Sequence, residues 1–188
     1  MGGPSFETDR LVIRPWREDD LDPFCEMCSD PQVMRFFPNV LSRDQTKALI
    51  DMALVKTDRD GFCFSPIDTK EGGEFLGFVG LSIPDYANRL HFGPCVEVGW
   101  RLKPAAWGKG YATEAGGAWI RFGFDTLGLD EIVSFTARQN KPSIAVMERL
   151  GMVRSNADDF QHPLVPETHA LSWHVLYRRA RKTPSGFT

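Results

Sequence analysis

Trp107-Gly108-Lys109-Gly110-Tyr111-Ala112-Thr113-Glu114-Ala115 is the stretch whose reading decides the fold. Before it, Val96-Glu97-Val98-Gly99-Trp100-Arg101-Leu102 alternates as a strand does, and after it Ala112, Ala115, Gly116, Trp119 and Phe122 recur at helical spacing. A strand therefore enters a helix through a turn with two glycines. Glycine permits the left-handed backbone such a turn needs, so that successive N–H groups can point at one spot. The unpaired N–H groups of a helix start add positive potential there, and an anion is the expected occupant. A P-loop would place Ser or Thr after the lysine, where this chain has Gly110, and a dinucleotide turn would place a third glycine at Thr113. A tight turn without a ligand is the alternative.

Outward from this turn, the pattern is mixed α+β. Arg10 to Pro15 reads as a first strand, and Asp19 or Asp20 can cap a helix to about Ser29. Asp30-Pro31 breaks that helix, and Ser42 with Gln45 forms a capping box for a second one through about Thr57. Phe62 to Phe64 and Phe75 to Ile83 read as strands around the turn Glu71-Gly72-Gly73, and with Val96 to Leu102 they make an antiparallel meander. After the helix that follows Gly110 come a strand at Ile132 to Ala137 and a helix capped by Asn140 and stopped at Gly151. Strands from about Met152 and across Leu171 to Tyr177 complete a sheet of six to seven strands flanked by helices.

The 188 residues suit one domain with a sizeable core, expected over 7–178, with 1–6 and 179–188 as flexible ends. A net charge of -3 argues against a general basic surface for nucleic acid, so phosphate binding must be local. No apolar run approaches the roughly 20 residues of a membrane span, and the N-terminus lacks a basic start followed by an apolar core, so a cytoplasmic protein is expected. The four cysteines are scattered in apolar neighbourhoods, as in a reducing compartment. Cys25-x-x-Cys28 lacks the second pair that zinc would need and reads as part of a helix core. His162, His169 and His174 show no zinc-enzyme spacing.

Two patterns together, Trp107 to Ala115 and Asn140-Lys141-Pro142-Ser143 followed by Met147-Glu148-Arg149-Leu150-Gly151-Met152, resemble the GNAT superfamily of acetyl-CoA-dependent N-acetyltransferases. Arg10 to Pro15 and Gly77-Phe78-Val79-Gly80 are similar, more narrowly, to the Rim-type branch that acetylates ribosomal-protein N-termini. The resemblance spans about residues 7 to 178 and implies a sheet whose two central strands splay apart. In the family's pyrophosphate motif Trp107 takes the first place, Gly110 the fourth and Ala112 the last. The resemblance thus implies that backbone N–H groups from Gly108 through Lys109, Gly110 and Ala112 to Thr113 hold the CoA pyrophosphate. Trp100, Leu102, Asn140 and Ser143 would line the path of its arm. A lysine in solvent and a plain helix cap are the alternatives for Lys109 and Asn140.

The resemblance also implies direct attack of an amine on the thioester, which suits a chain with no Ser or Cys beside an evident His base. The acceptor would be a protein N-terminus or a small amine, and the protein a monomer or homodimer. An α-amino group with a pKa of about 7.7 to 8.0 is partly neutral near neutral pH and asks little of a base. Backbone N–H groups along Val98 to Leu102 can meet the developing oxyanion. Glu97 is the candidate base, unless it pairs with neighbours on the face it shares with Arg101. The family often has a tyrosine acid where this chain has Met147, which leaves Ser143 as the candidate acid, or as a residue bonding at the helix start. The acceptor cleft is expected beside Trp16, Phe36, Phe37 and the loop from His162 to His169, and Asp158-Asp159 would suit a polycationic acceptor. A CoA-binding module without turnover and a nucleotide-binding domain are the competing readings.

Overall fold

Residues 3–181 are described by the computed structural model. The strands are β1 (Phe6–Glu7), β2 (Leu11–Ile13), β3 (Ser65–Thr69), β4 (Phe75–Ser82), β5 (Glu97–Leu102), β6 (Glu131–Ala137), β7 (Val153–Arg154), β8 (Phe160–Gln161) and β9 (Trp173–Ala180). They form one nine-stranded sheet in the order β1-β2-β3-β4-β5-β6-β9-β7, with β8 also on β9. Three of these, β1, β7 and β8, have two residues each, which accounts for the excess over the six to seven expected. Every pairing is antiparallel except β5 with β6.

Five α-helices accompany the sheet. Helices α1 (Leu21–Ser29), α2 (Pro31–Met34) and α3 (Arg43–Asp60) precede β3, while α4 (Tyr111–Asp125) and α5 (Lys141–Arg149) flank β6 in sequence. The Ser42 and Gln45 side chains close the expected capping box of α3, and Gly61 ends that helix in the left-handed conformation. Val98, Leu102 and Val79 pack against Ala115 and Trp119 of α4 and Met147 of α5. On the other face, Phe78 packs against Phe24, Met27, Cys28 and Ile50 of α1 and α3. Leu90, Val133, Phe160 and Leu176 form a third cluster. Among the described residues no helix is long and apolar enough to cross a membrane.

Two expectations change. Phe62 to Phe64 is not a strand. It passes over Gly80, where a Cβ would lie 2.6 Å from Phe64 Cα and 2.7 Å from Cys63 O, and the pairing begins at Ser65. The expected flexible ends also begin too early. Phe6 lies in β1 with its ring 5.1 Å from Trp119, and Arg179 and Ala180 pair with Ile132 and Glu131 as the end of β9. Arg178, the last residue of the expected domain, holds Glu131 at 2.8 Å and Asp158 at 3.0 Å. Residues 1–2 and 182–188 of those expected ends lie outside the described residues.

Asp68 sits in the middle of a buried strand because Arg14 neutralises it. Arg14 Nε and Nη2 donate to Asp68 at 2.5 and 2.9 Å, while Nη1 and Nη2 donate to Asp20 at 2.7 Å each. Burial pulls the Arg14 pKa down, and the two carboxylates more than reverse it. This triad ties the approach to α1 onto β2 and β3. Arg14→Met leaves two buried carboxylates without their cation and is expected to cost about 3–5 kcal/mol in urea denaturation at pH 7.5. A loss below about 1 kcal/mol would show that the triad contributes no stability.

Candidate active site

The turn before α4 is a run of unused donors. Trp107 N donates back to Pro104 O at 3.0 Å, and the next backbone N–H with a partner is that of Glu114, on Gly110 O at 3.0 Å. From Gly108 to Thr113, six successive backbone N–H groups have no partner among the described residues. Gly108 and Gly110 take φ of 71° and 81°, which turns the chain at both ends of Lys109. Arg10 braces the bend: its Nη1 donates to Lys109 O at 3.0 Å, its Nε to Glu114 at 2.7 Å, and its guanidinium lies over the Tyr111 ring. Glu114 also accepts from Thr8 Oγ1 at 2.6 Å, so the acid in the first turn of α4 is neutralised by its own surroundings. Arg10 and Glu114 escaped the sequence reading, because nothing local to either shows a contact spanning 104 residues.

Next to this turn the sheet opens. The ladder between β5 and β6 consists of one residue pair, Glu97 opposite Val133, whereas β4 and β5 share six pairs and β6 and β9 share seven. Past that pair Ser134 Oγ, not a backbone N–H, reaches Val98 O at 2.8 Å. Val96 O and Val98 O both face β6. Strand alternation therefore puts the Trp100 N–H on the same edge, where no residue of β6 pairs with it. Leu102 O accepts from the Trp107 indole at 2.8 Å, so the aromatic at the head of the motif turns back to brace the end of β5.

The side chains named from the sequence divide between the two faces of β5. Trp100 lies on the α4 and α5 side, where its Nε1 donates to Ser143 Oγ at 3.3 Å. Asn140 caps α5, accepting from Ser143 N at 3.3 Å while its amide donates to Thr136 Oγ1 at 2.9 Å. Met147 is buried in the core behind them. Glu97 is three residues from Trp100 and so points to the opposite face. The structure thus brings Trp100, Asn140 and Ser143 together and sets Glu97 across the sheet from them.

Glu97 is half-buried as a residue, yet its carboxylate accepts no hydrogen bond among the described residues. Burial pushes its pKa up to about 7, against the pull of Lys56. Lys56 is itself buried, donating to Ile83 O at 2.7 Å and meeting Asp85 at 3.2 Å. Close by, Tyr86 Oη and His162 Nε2 are 2.9 Å apart. Leu164 N donates to His162 Nδ1, which leaves the ring proton on Nε2 and the Tyr86 hydroxyl hydrogen free to point elsewhere. Burial, with help from His174 and Arg89, lowers the His162 pKa to about 4, so this ring is neutral at pH 7. Asp158 and Asp159 are both paired: Arg178 holds the first and Arg154 the second.

Comparison with known proteins agrees with this geometry. The family model described as Acetyltransferase (GNAT) domain matches residues 10–153. The uncharacterized N-acetyltransferase p20 of Bacillus licheniformis is 32% identical over 149 residues, 76% of this chain and 79% of that protein. The FsC-acetyl coenzyme A-N(2)-transacetylase of Aspergillus fumigatus is 30% identical over 157 residues, 79% of this chain and 65% of that protein. Among solved structures, an acetyltransferase from Agrobacterium tumefaciens superposes with a TM-score of 0.77 at 28% identity, over 95% of each chain. A ribosomal-protein-serine acetyltransferase structure from Vibrio cholerae, at 16% identity and a TM-score of 0.74, covers 95% of this chain and 98% of its own and shares the fold.

The environment of Glu97 has a measurable signature. Its ordinary pKa of 4.5 rises to about 7 on folding, so the folded state holds the proton more tightly and stability falls as pH climbs from about 4.5 to 7. Glu97→Gln removes this dependence. The variant is expected to match the parent near pH 4.5 and to exceed it at pH 8 by on the order of 3 kcal/mol at most. Denaturant curves at the two pH values check it, and an equal difference at both would mean the carboxyl is solvated.

Proposed function

The chain belongs to the GNAT acetyltransferase family, and from that premise we propose that it moves an acetyl group from acetyl-CoA to a primary amine by direct attack on the thioester. The observation that carries this reading is the run of six free N–H groups from Gly108 to Thr113 at the start of α4, beside a sheet that parts after one residue pair. A diphosphate suits such a run, because it offers acceptor oxygens and negative charge to a helix start. Side chains at Gly108 and Gly110 would strain a backbone held at φ of 71° and 81°. The Aspergillus relative carries acetyl coenzyme A in its name, which agrees with the cosubstrate.

On this reading each residue has one task. The Trp100 N–H donates to the carbonyl oxygen as it becomes an oxyanion. Glu97, on the face from which the amine arrives, accepts the amine proton through a water as the C–N bond forms. Ser143 supplies a proton to the departing sulfur and regains one from solvent, and the Trp100 indole N–H on its oxygen makes its hydroxyl a better donor. A thiol pKa of about 8.5 keeps that last contribution modest. Acceptors on this reading are small amines or protein N-termini, whose partly neutral α-amines suit a base with a pKa near 7.

Thiol release from acetyl-CoA over a panel of amines and peptides tests the proposal, with kcat/KM rising with pH through about 7 as Glu97 loses its proton. Glu97→Gln is expected to lower kcat by about 100-fold or more and to remove that inflection. Gly110→Ala, which forces a side chain into the left-handed region at a cost of about 1–3 kcal/mol, should raise KM for acetyl-CoA more than it lowers kcat. Tight CoA binding with no amine acetylated would overturn the proposal.

A further inference from the structure

Arg101 follows Glu97 on the same face of β5, with Gly99 between them, and it is a cation without a counter-charge. The residue is half-buried, but its Nε is sealed from solvent and has no hydrogen-bond partner among the described residues. Its Nη1 donates to the Cys28 thiol at 3.2 Å, and no carboxylate lies within ion-pair distance among the described residues. Phe37 stacks on the guanidinium at 4.2 Å and Phe78 lies 5.5 Å from it. Phe64, stacked on Phe78 at 5.1 Å, covers the neighbouring Gly99. Rings on the face of a guanidinium leave its in-plane N–H groups free to donate.

Arg14 shows what such a side chain takes when it is buried for stability. There the edge formed by Nε and Nη2 grips Asp68, and the Nη1 and Nη2 edge grips Asp20. In Arg101 the Nη1 end is spent on a thiol that burial keeps protonated, and the Nε and Nη2 edge that grips a carboxylate in Arg14 holds nothing. An unpaired buried charge costs stability, so its presence calls for a partner from outside the chain. Glu97 and Arg101 carry opposite charges about 13 Å apart along the strand, counting about 3.3 Å per residue, and an extended arginine side chain shortens that span.

We propose that Arg101 is the recognition subsite for the acetyl acceptor, its guanidinium binding the carboxylate of an amino acid-like substrate through Nη2 and, once the side chain turns out of its seal, Nε, while the substrate amine lies toward Glu97. The rings of Phe37, Phe64 and Phe78 flank the carbon skeleton between the two groups. The proposal rests on the acetyltransferase reading and narrows it to acceptors that carry a carboxylate. Two parallel N–H groups match the planar carboxylate as they match Asp68, and a bidentate charge-assisted pair of this kind is both strong and orienting.

Matched acceptors test it: phenylalanine, β-alanine and γ-aminobutyrate, each against its own amide, with the parent protein, Arg101→Met and Arg101→Lys. An amide lowers the pKa of an α-amine beside it, so without recognition the phenylalanine pair favours the amide. The expected result is an acid-over-amide preference in kcat/KM of about 10- to 100-fold for at least one pair, carried by KM. Arg101→Met abolishes the preference, Arg101→Lys keeps part of it, and neither changes the KM for acetyl-CoA. Arg101→Met also melts at a higher temperature than the parent, since a buried charge is replaced by an apolar side chain. Calorimetry with N-acetylphenylalanine and its amide, in the presence of CoA, gives a readout independent of turnover. If the acid alone binds and Arg101→Met loses it while no amine is acetylated, the subsite stands and the proposed activity falls. Equal use and equal binding of acid and amide, a KM change confined to acetyl-CoA, or a lower melting temperature with an unchanged preference overturns the inference.

Discussion

One residue pair joins β5 to β6, and the layout of the site follows from how that pair ends. A parallel ladder continues when each carbonyl meets the N–H of the next strand. Here Val98 O is taken by the Ser134 hydroxyl at 2.8 Å, so its acceptor is satisfied without the strands staying together. A buried carbonyl left unpaired at that point would favour closure of the sheet. With it satisfied, the edge beyond can part at no such cost, and the Trp100 N–H is left facing the opening. The same opening lets one strand serve two faces, with Trp100 directed toward Ser143 and Glu97 directed away.

Charge in this protein is placed with the same economy. Arg14, Asp20 and Asp68 close on one another in the core, and Arg10 with Glu114 closes over the turn before α4. Asp158 and Asp159 close with Arg178 and Arg154. Against these pairs, two groups on β5 stand out. Among the described residues, Glu97 carries a carboxylate with no hydrogen bond and Arg101 a guanidinium with no carboxylate, although they share a face and a strand. The sequence reading allowed that they simply pair with neighbours. A span of about 13 Å keeps them from neutralising each other.

Much of this was legible in the residues before the structure. The glycines flanking Lys109 marked the bend, the Ser42 and Gln45 pair marked a helix start, and Asn140 marked the cap of α5, because each is a local rule about backbone donors. What escaped depends on residues far apart in the chain. β3 at Ser65–Thr69 carries a buried Asp68, and only Arg14, 54 residues away, makes an acid tolerable there. Phe62 to Phe64 had the right composition for a strand and the wrong surroundings, since its backbone fills the space that Gly80 leaves. Arg101 looked like an ordinary strand charge, and the available clue was its place two residues past Gly99 on the face of Glu97.

The two faces of β5 also keep the two proposed substrates apart. On the proposed reading, a donor anchored at the start of α4 would reach the opening from the side of Trp100 and Ser143, and an acceptor guided by Arg101 would reach it from the side of Glu97. Neither has to pass the other, so each can bind without displacing a group the other needs. A thioester carbonyl held in the opening would then face both sides, with the Trp100 N–H at the edge between them. Proton flow on the proposed reading would follow the same division, the amine proton leaving toward Glu97 and the sulfur being served by Ser143. A base near pH 7 on one side and a hydroxyl polarised by an indole on the other thus need no shared proton and no residue that changes role during the reaction.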